Sequence, residues 1–115
     1  MMTVAQAIAR EEGWGVAGDI PTRDDNPGDI CDGTFAQHEA GYTGHAGRFA
    51  TFDNPQDGMN ALRDLLLKDY RGLTLEQALN KYAPPVENNT NAYLGNVVKF
   101  TGLAPDTVLT AENIG

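Results

Sequence analysis

A chain of 115 residues with 41% hydrophobic and 21% charged side chains suits a single domain spanning 1–115 with one modest core, and its composition excludes a disordered or low-complexity segment. The formal net charge is −8 and the eight basic residues are scattered, so no Lys/Arg cluster exists to track phosphates, and nucleic acid is excluded as a partner. The same acidity removes crude attraction to anionic membranes or cell walls, so any polyanionic partner must be held by specific contacts.

Taken in chain order, Thr3 followed by Gln6 forms a capping box that predicts a first helix from Val4 to about Glu12. Val4, Ala5, Ile8 and Ala9 make its apolar face; Glu12 falls on the line of that face and Glu11 nearer its edge. Two carboxylates at the end of a helix sit where the backbone dipole is already negative, a placement that disfavours ionisation by roughly 0.3–1 kcal/mol when exposed and more when buried. The adjoining Trp14 is either a desolvating neighbour or a core residue.

From Gly13 to about Thr51 the helical period is lost among Gly, Asp, Asn, Pro and Thr, and a stretch of that length is usually functional. Alternation in "GRFATF", around Phe49 and Phe52, predicts one short strand of a small hairpin. Asn54 and Pro55 then open the longest helix, with Met59, Leu62, Leu66 and Tyr70 on one face and Gly72 closing it. A second box, Thr74 with Gln77, opens a helix to about Tyr82 that Pro84 and Pro85 stop. Asn89 caps a further helix from Thr90 to about Thr101, ended by Gly102, with Tyr93, Val97, Val98 and Phe100 toward its buried side; the tail adds a short helical turn. The fold class is mainly α with a loop-rich lobe between the first two long helices.

Several chemistries are set aside. His38, Glu39 and His45 have the composition of a zinc site, but the histidines are seven apart in glycine-rich loop instead of four apart on a helix, so no metal and no cofactor is expected. Cys31 has no helix to present its thiol and reads as a buried, inert residue. "DDNPGDICDGTF" is rich in oxygen ligands, yet counting from Asp24 the glycine position of a calcium loop holds Asp29 and the closing glutamate position holds Phe35. As the only cysteine, Cys31 cannot form an internal disulfide. Together with a start, "MMTVAQAIAR", that lacks a basic leader, this predicts synthesis in a cytoplasm without a signal peptide. No stretch approaches the ~18 apolar residues of a membrane span.

In order and spacing, "AIAREEGW", "RDDNPGDI", "GRFATFDNPQDGMNAL" and "TLEQALNKYAPPVENNTNAYLGNVVKFTGL" resemble the phage and prophage lysozyme-like proteins. These are small muramidases or lytic transglycosylases that cut the glycan strand of peptidoglycan. The resemblance implies an α+β lysozyme-like fold, a helical lobe and a small loop and hairpin lobe flanking a cleft. It implies that Glu12, immediately before Gly13, is the general acid, with Glu11 as the alternative one residue away. It further implies that Asn26 of the "NPG" turn, Phe49 of the strand, and Tyr82, Asn89, Thr90 and Tyr93 of the helical lobe line the substrate cleft. The partner is then a peptidoglycan glycan strand and the protein a monomer. It acts on the cell wall after release or as part of a virion.

A glycosidic bond is broken at neutral pH by a carboxylic acid that has kept its proton, so a helix-end glutamate with a carboxylate beside it has a chemical use. The spacing of the familiar phage lysozymes, Glu followed nine residues later by Asp and six later by Thr, is absent: from Glu11 those positions hold Ile20 and Asn26, from Glu12 Pro21 and Pro27. Asp19, Asp24, Asp25 and Asp29 all remain as second carboxylates, and hydrolysis and transglycosylation both stay open. The competing readings are a non-catalytic glycan-binding or virion structural domain, which the missing second acid favours, and a plain helical interaction domain.

Overall fold

The computed structural model describes residues 1–115. Helix α1, Val4–Glu12, starts where the sequence places it: the Thr3 hydroxyl accepts from Gln6 N at 3.2 Å and Gln6 Oε1 accepts from Thr3 N at 3.0 Å. It stops because Gly13 turns left-handed at φ 101°, a conformation that Gly adopts without penalty. Val4, Ala5, Ala7, Ile8 and Ala9 are buried, and small side chains on this face let α1 pack closely against its neighbours.

The segment expected as loop carries local structure: α2 (Ile20–Arg23), α3 (Thr34–Gln37) and an antiparallel hairpin of β1 (Tyr42–Ala46) and β2 (Phe49–Phe52). The fold is α+β with a two-stranded sheet, as expected from the strand around Phe49 and Phe52, and what the expectation lacked is the two short helices. Four-residue helices bury too few side chains to leave a periodic signal, which is why α2 and α3 are not legible in the sequence.

The remainder is helical: α4 (Pro55–Asp69), α5 (Leu75–Tyr82), α6 (Thr90–Thr101) and α7 (Ala111–Ile114). Leu62, Leu66 and Tyr70 of the expected α4 face are buried, and Met59 packs partly buried against the core. On α6 Tyr93 and Val97 are buried, whereas Val98 and Phe100 are only partly so. α1 packs on α6, α4 and α7, and the tail closes the core with Leu109 and Ile114. That tail runs beside the start of α5, where Leu75 N donates to Thr107 O and Leu109 N to Leu73 O, both at 2.8 Å.

The "NPG" turn is seated on α4 by a missing side chain. A Cβ on Gly58 would lie 1.9 Å from the Asp25 carbonyl oxygen and 2.7 Å from Pro27 Cδ, so only glycine lets the turn approach this closely. Asn26 is wholly buried inside the turn. Its Nδ2 donates to Ile30 O and Ala50 O, both at 2.9 Å, and its Oδ1 accepts from Ile30 N at 3.0 Å. The expectation that Asn26 contacts substrate is corrected here: its side chain is consumed in tying the turn to β2.

Candidate functional site

Between the helical lobe and the hairpin lies an open cleft of about 770 Å³. Glu12 reaches it from the end of α1, Asp29 and Cys31 from the segment after the "NPG" turn, Arg48 and Phe49 from the hairpin, and Tyr82 from α5. Glu11 is not among the lining residues, so of the two adjacent glutamates Glu12 is the one that faces the cleft.

The Glu12 carboxyl is held from two sides. Tyr93 of α6 donates its hydroxyl to Glu12 Oε2 at 2.8 Å, and the Asp29 carboxyl lies near enough to share a proton with the Glu12 carboxyl. Burial raises the Glu12 pKa above its ordinary value; the hydrogen bonds from Tyr93 and Asp29 oppose this, and the charge of Glu11 adds to it. Asp29 is pushed up to about 7, first by burial, then by the charge of Glu12 and the bond between them, then by Asp24, while Arg48 pulls it down. Two carboxylates in contact cannot both be ionised cheaply, so the pair retains one proton near neutrality, and that proton belongs to the pair. Tyr82 completes the set of titratable groups around it, its own ionisation strongly opposed by burial and by the Glu12 charge.

Backbone geometry aims Asp29 at Glu12. Asp25 and Asp29 are the two non-glycine residues with left-handed backbone, at φ 51° and 50°, a region Asp tolerates better than most residues. Asn26 anchors the turn between them, and the Tyr82 hydroxyl donates to the Gly28 carbonyl, fixing the residue before Asp29 from the α5 side. Asp29 Oδ1 is buried without a hydrogen-bond partner. The other three aspartates do not line the cleft, and of them only the charge of Asp24 is felt at Asp29. Asp24 is buried in a salt bridge with Arg23 at 2.8 Å, Asp19 lies against Gly13, and Asp25 gives its carbonyl to the approach on Gly58.

The remaining expected contacts divide. Phe49 and Tyr82 line the cleft. Asn89, Thr90 and Tyr93 do not, and each has a structural use instead: Asn89 caps α6 by accepting from Ala92 N at 3.2 Å, buried Thr90 donates to Ala83 O at 2.5 Å, and Tyr93 spends its hydroxyl on Glu12. Sequence reasoning missed Arg48, Glu87 and Asn88 on the cleft wall. The last two sit directly before Asn89, so the expectation fell one residue late.

One neighbour departs from expectation, and for a second the structure chooses between two readings. Cys31 is exposed rather than buried: it lies on the cleft wall, where its backbone bridges to Phe49. Of the two readings of Trp14 the core one holds: it packs partly buried against the core and lines a separate hollow of about 540 Å³ with Met2, Gln6, Arg10 and Met59, so it does not desolvate the Glu12 side of the molecule. His38 and His45 each bond a nearby carbonyl, Thr34 O at 2.7 Å and Gly47 O at 3.0 Å, and no cluster of metal-ligating side chains forms. No helix is long and apolar enough to cross a membrane. No family model and no curated protein matches the chain.

Proposed function

We propose that this chain cleaves the glycan strand of bacterial peptidoglycan between N-acetylmuramic acid and N-acetylglucosamine, with Glu12 as the general acid. The observation that carries the reading is a proton-retaining carboxyl pair, Glu12 and Asp29, on the wall of an open cleft of about 770 Å³. The resemblance to lysozyme-like proteins supplies the substrate class.

In this reading Glu12 gives its proton to the glycosidic oxygen as that bond breaks and the muramic ring becomes oxocarbenium-like. The pair is then doubly negative beside a developing cation, and the cation offsets the repulsion that kept the proton in place. Carboxyls in direct contact leave no room between them for a water or a ring carbon; paired-carboxylate glycosidases separate theirs by about 5 Å or more. The contact favours a single-acid route. The muramic C6 hydroxyl attacks C1, its proton returns to Glu12, no water is consumed, and a 1,6-anhydro product leaves.

The test digests purified peptidoglycan with the native chain and with Glu12→Gln, and weighs the products. Native activity with anhydro-muropeptides, and a loss of at least ~10²-fold in the variant, is the expected result. Undiminished cleavage by Glu12→Gln refutes the acid assignment. Reducing muropeptides, heavier by one water, refute the anhydro route. Glycan binding without cleavage leaves the non-catalytic binding domain as the function.

A further inference from the structure

The charged side chains on the cleft wall are unequally divided: Glu12, Asp29 and Glu87 are acidic and Arg48 alone is basic. Arg48 stands in the hairpin immediately before β2, and its backbone is fixed there, since its carbonyl accepts Asp32 N at 2.8 Å and the next residue, Phe49, bridges to Cys31. Its guanidinium carbon lies 4.9 Å from the centroid of the Phe49 ring. Stacking of this kind orients the guanidinium plane while leaving its N–H edges free to donate. The one salt bridge of the chain joins Arg23 to Asp24, so no carboxylate closes on the Arg48 guanidinium, whose charge is felt at Asp29 only from beyond salt-bridge distance.

A chain of net charge −8 gains nothing from bulk attraction to an anionic polymer, and the acid pair repels any carboxylate that drifts toward it. The muramic residue nevertheless brings acidic groups to the bond being cut, through the lactyl branch on its ring. An oriented, unpaired guanidinium is the group best shaped to accept a carboxylate in a two-pronged contact. Resting on the glycan reading above, we propose that Arg48, presented by Phe49, is the specificity residue that receives a carboxylate carried on the lactyl branch of the sugar. The site thereby selects acidic glycan over a neutral polymer of N-acetylglucosamine. The carboxylate is either the free lactyl group of peptide-stripped strands or one belonging to the stem peptide attached through the same branch.

Three glycans of matched length separate these cases: peptide-stripped strands, peptide-bearing strands and N-acetylglucosamine oligomers, each titrated into the native chain, Arg48→Gln and Arg48→Lys by NMR, with KM and kcat measured wherever turnover occurs. The native chain binds an acidic glycan more tightly than the neutral oligomer. Arg48→Gln weakens the acidic glycan about tenfold, with a far smaller change on the neutral oligomer, and raises KM rather than lowering kcat. Arg48→Lys restores part of the loss. The acidic glycan that loses most identifies the source of the carboxylate. Equal affinity of the native chain for acidic and neutral glycans, or an equal loss on both in Arg48→Gln, overturns the proposal. These binding outcomes are read without turnover, so a chain that discriminates through Arg48 but cuts nothing retains the subsite and loses the catalytic reading alone.

Discussion

Replacing Asp29 by Asn isolates what the carboxyl pair does. The substitution keeps shape and hydrogen bonding but removes a charge, and the new amide donates to the Glu12 carboxylate instead of sharing a proton with it. Two like charges about 4 Å apart interact by about 4 kcal/mol at an effective dielectric of about 20. At 1.36 kcal/mol per pH unit this is roughly three units. The cleft is open to water and Asp29 is only partly buried, so at least about one unit is the expected displacement. If Glu12 is the acid, the native activity is expected to fall as the pH rises past about 7, where the Glu12–Asp29 pair loses its shared proton. In Asp29→Asn that alkaline limb moves down by about one unit or more. The rate at pH 7 then drops by about tenfold while KM holds, and the loss narrows toward pH 5. Release of soluble muropeptides, followed from pH 4 to 9 at constant ionic strength, reads this directly. A limb that stays in place while activity falls equally at every pH refutes proton sharing and leaves Asp29 a merely structural role.

The same chemistry reaches stability. Asp29 and Glu39 both have values pushed up to about 7, Glu39 by burial and then by its hydrogen bond to Asp64 and the charge there. Each binds its proton more tightly folded than unfolded, so their contribution is full below about pH 4 and is lost as the pH rises through 7; solvent around these part-exposed groups reduces it to on the order of 1 kcal/mol. Thermal unfolding at pH 4 and 8 checks this: the Asp29→Asn, Glu39→Gln double variant loses less stability over that interval than the native chain, and an identical loss contradicts it. Asn26→Ala removes three buried hydrogen bonds and strands their partners in Ile30 and Ala50, a cost of about 3 kcal/mol. Urea unfolding measures it, and a loss under about 1 kcal/mol shows that the turn is held by other means.

The helices were legible because their ends are chemically marked. Thr3 with Gln6, Thr74 with Gln77, and Asn54 before Pro55 each satisfy orphan amide groups through residues three or four positions apart, information wholly local to the sequence. The site was legible in its helix-end glutamate and in its region, and then only coarsely. Asp19, Asp24, Asp25 and Asp29 are chemically alike, and what separates them is a turn whose course depends on the burial of Asn26 and on the space left by Gly58. Tyr93 illustrates the same limit from the other end of the chain: its hydroxyl meets a carboxyl 81 residues away, which no periodicity encodes. Asn26 and Thr90 were assigned to the cleft by the resemblance alone, whereas backbone carbonyls inside the protein claim both.

The exposed Cys31 thiol makes the groove chemically addressable. It is the sole sulfhydryl in the chain and opens onto the wall it shares with Glu12 and Phe49, so an alkylating reagent finds one target and deposits its adduct inside the channel. A bulky label there obstructs the cleft, and a small fluorophore signals when a ligand occupies it.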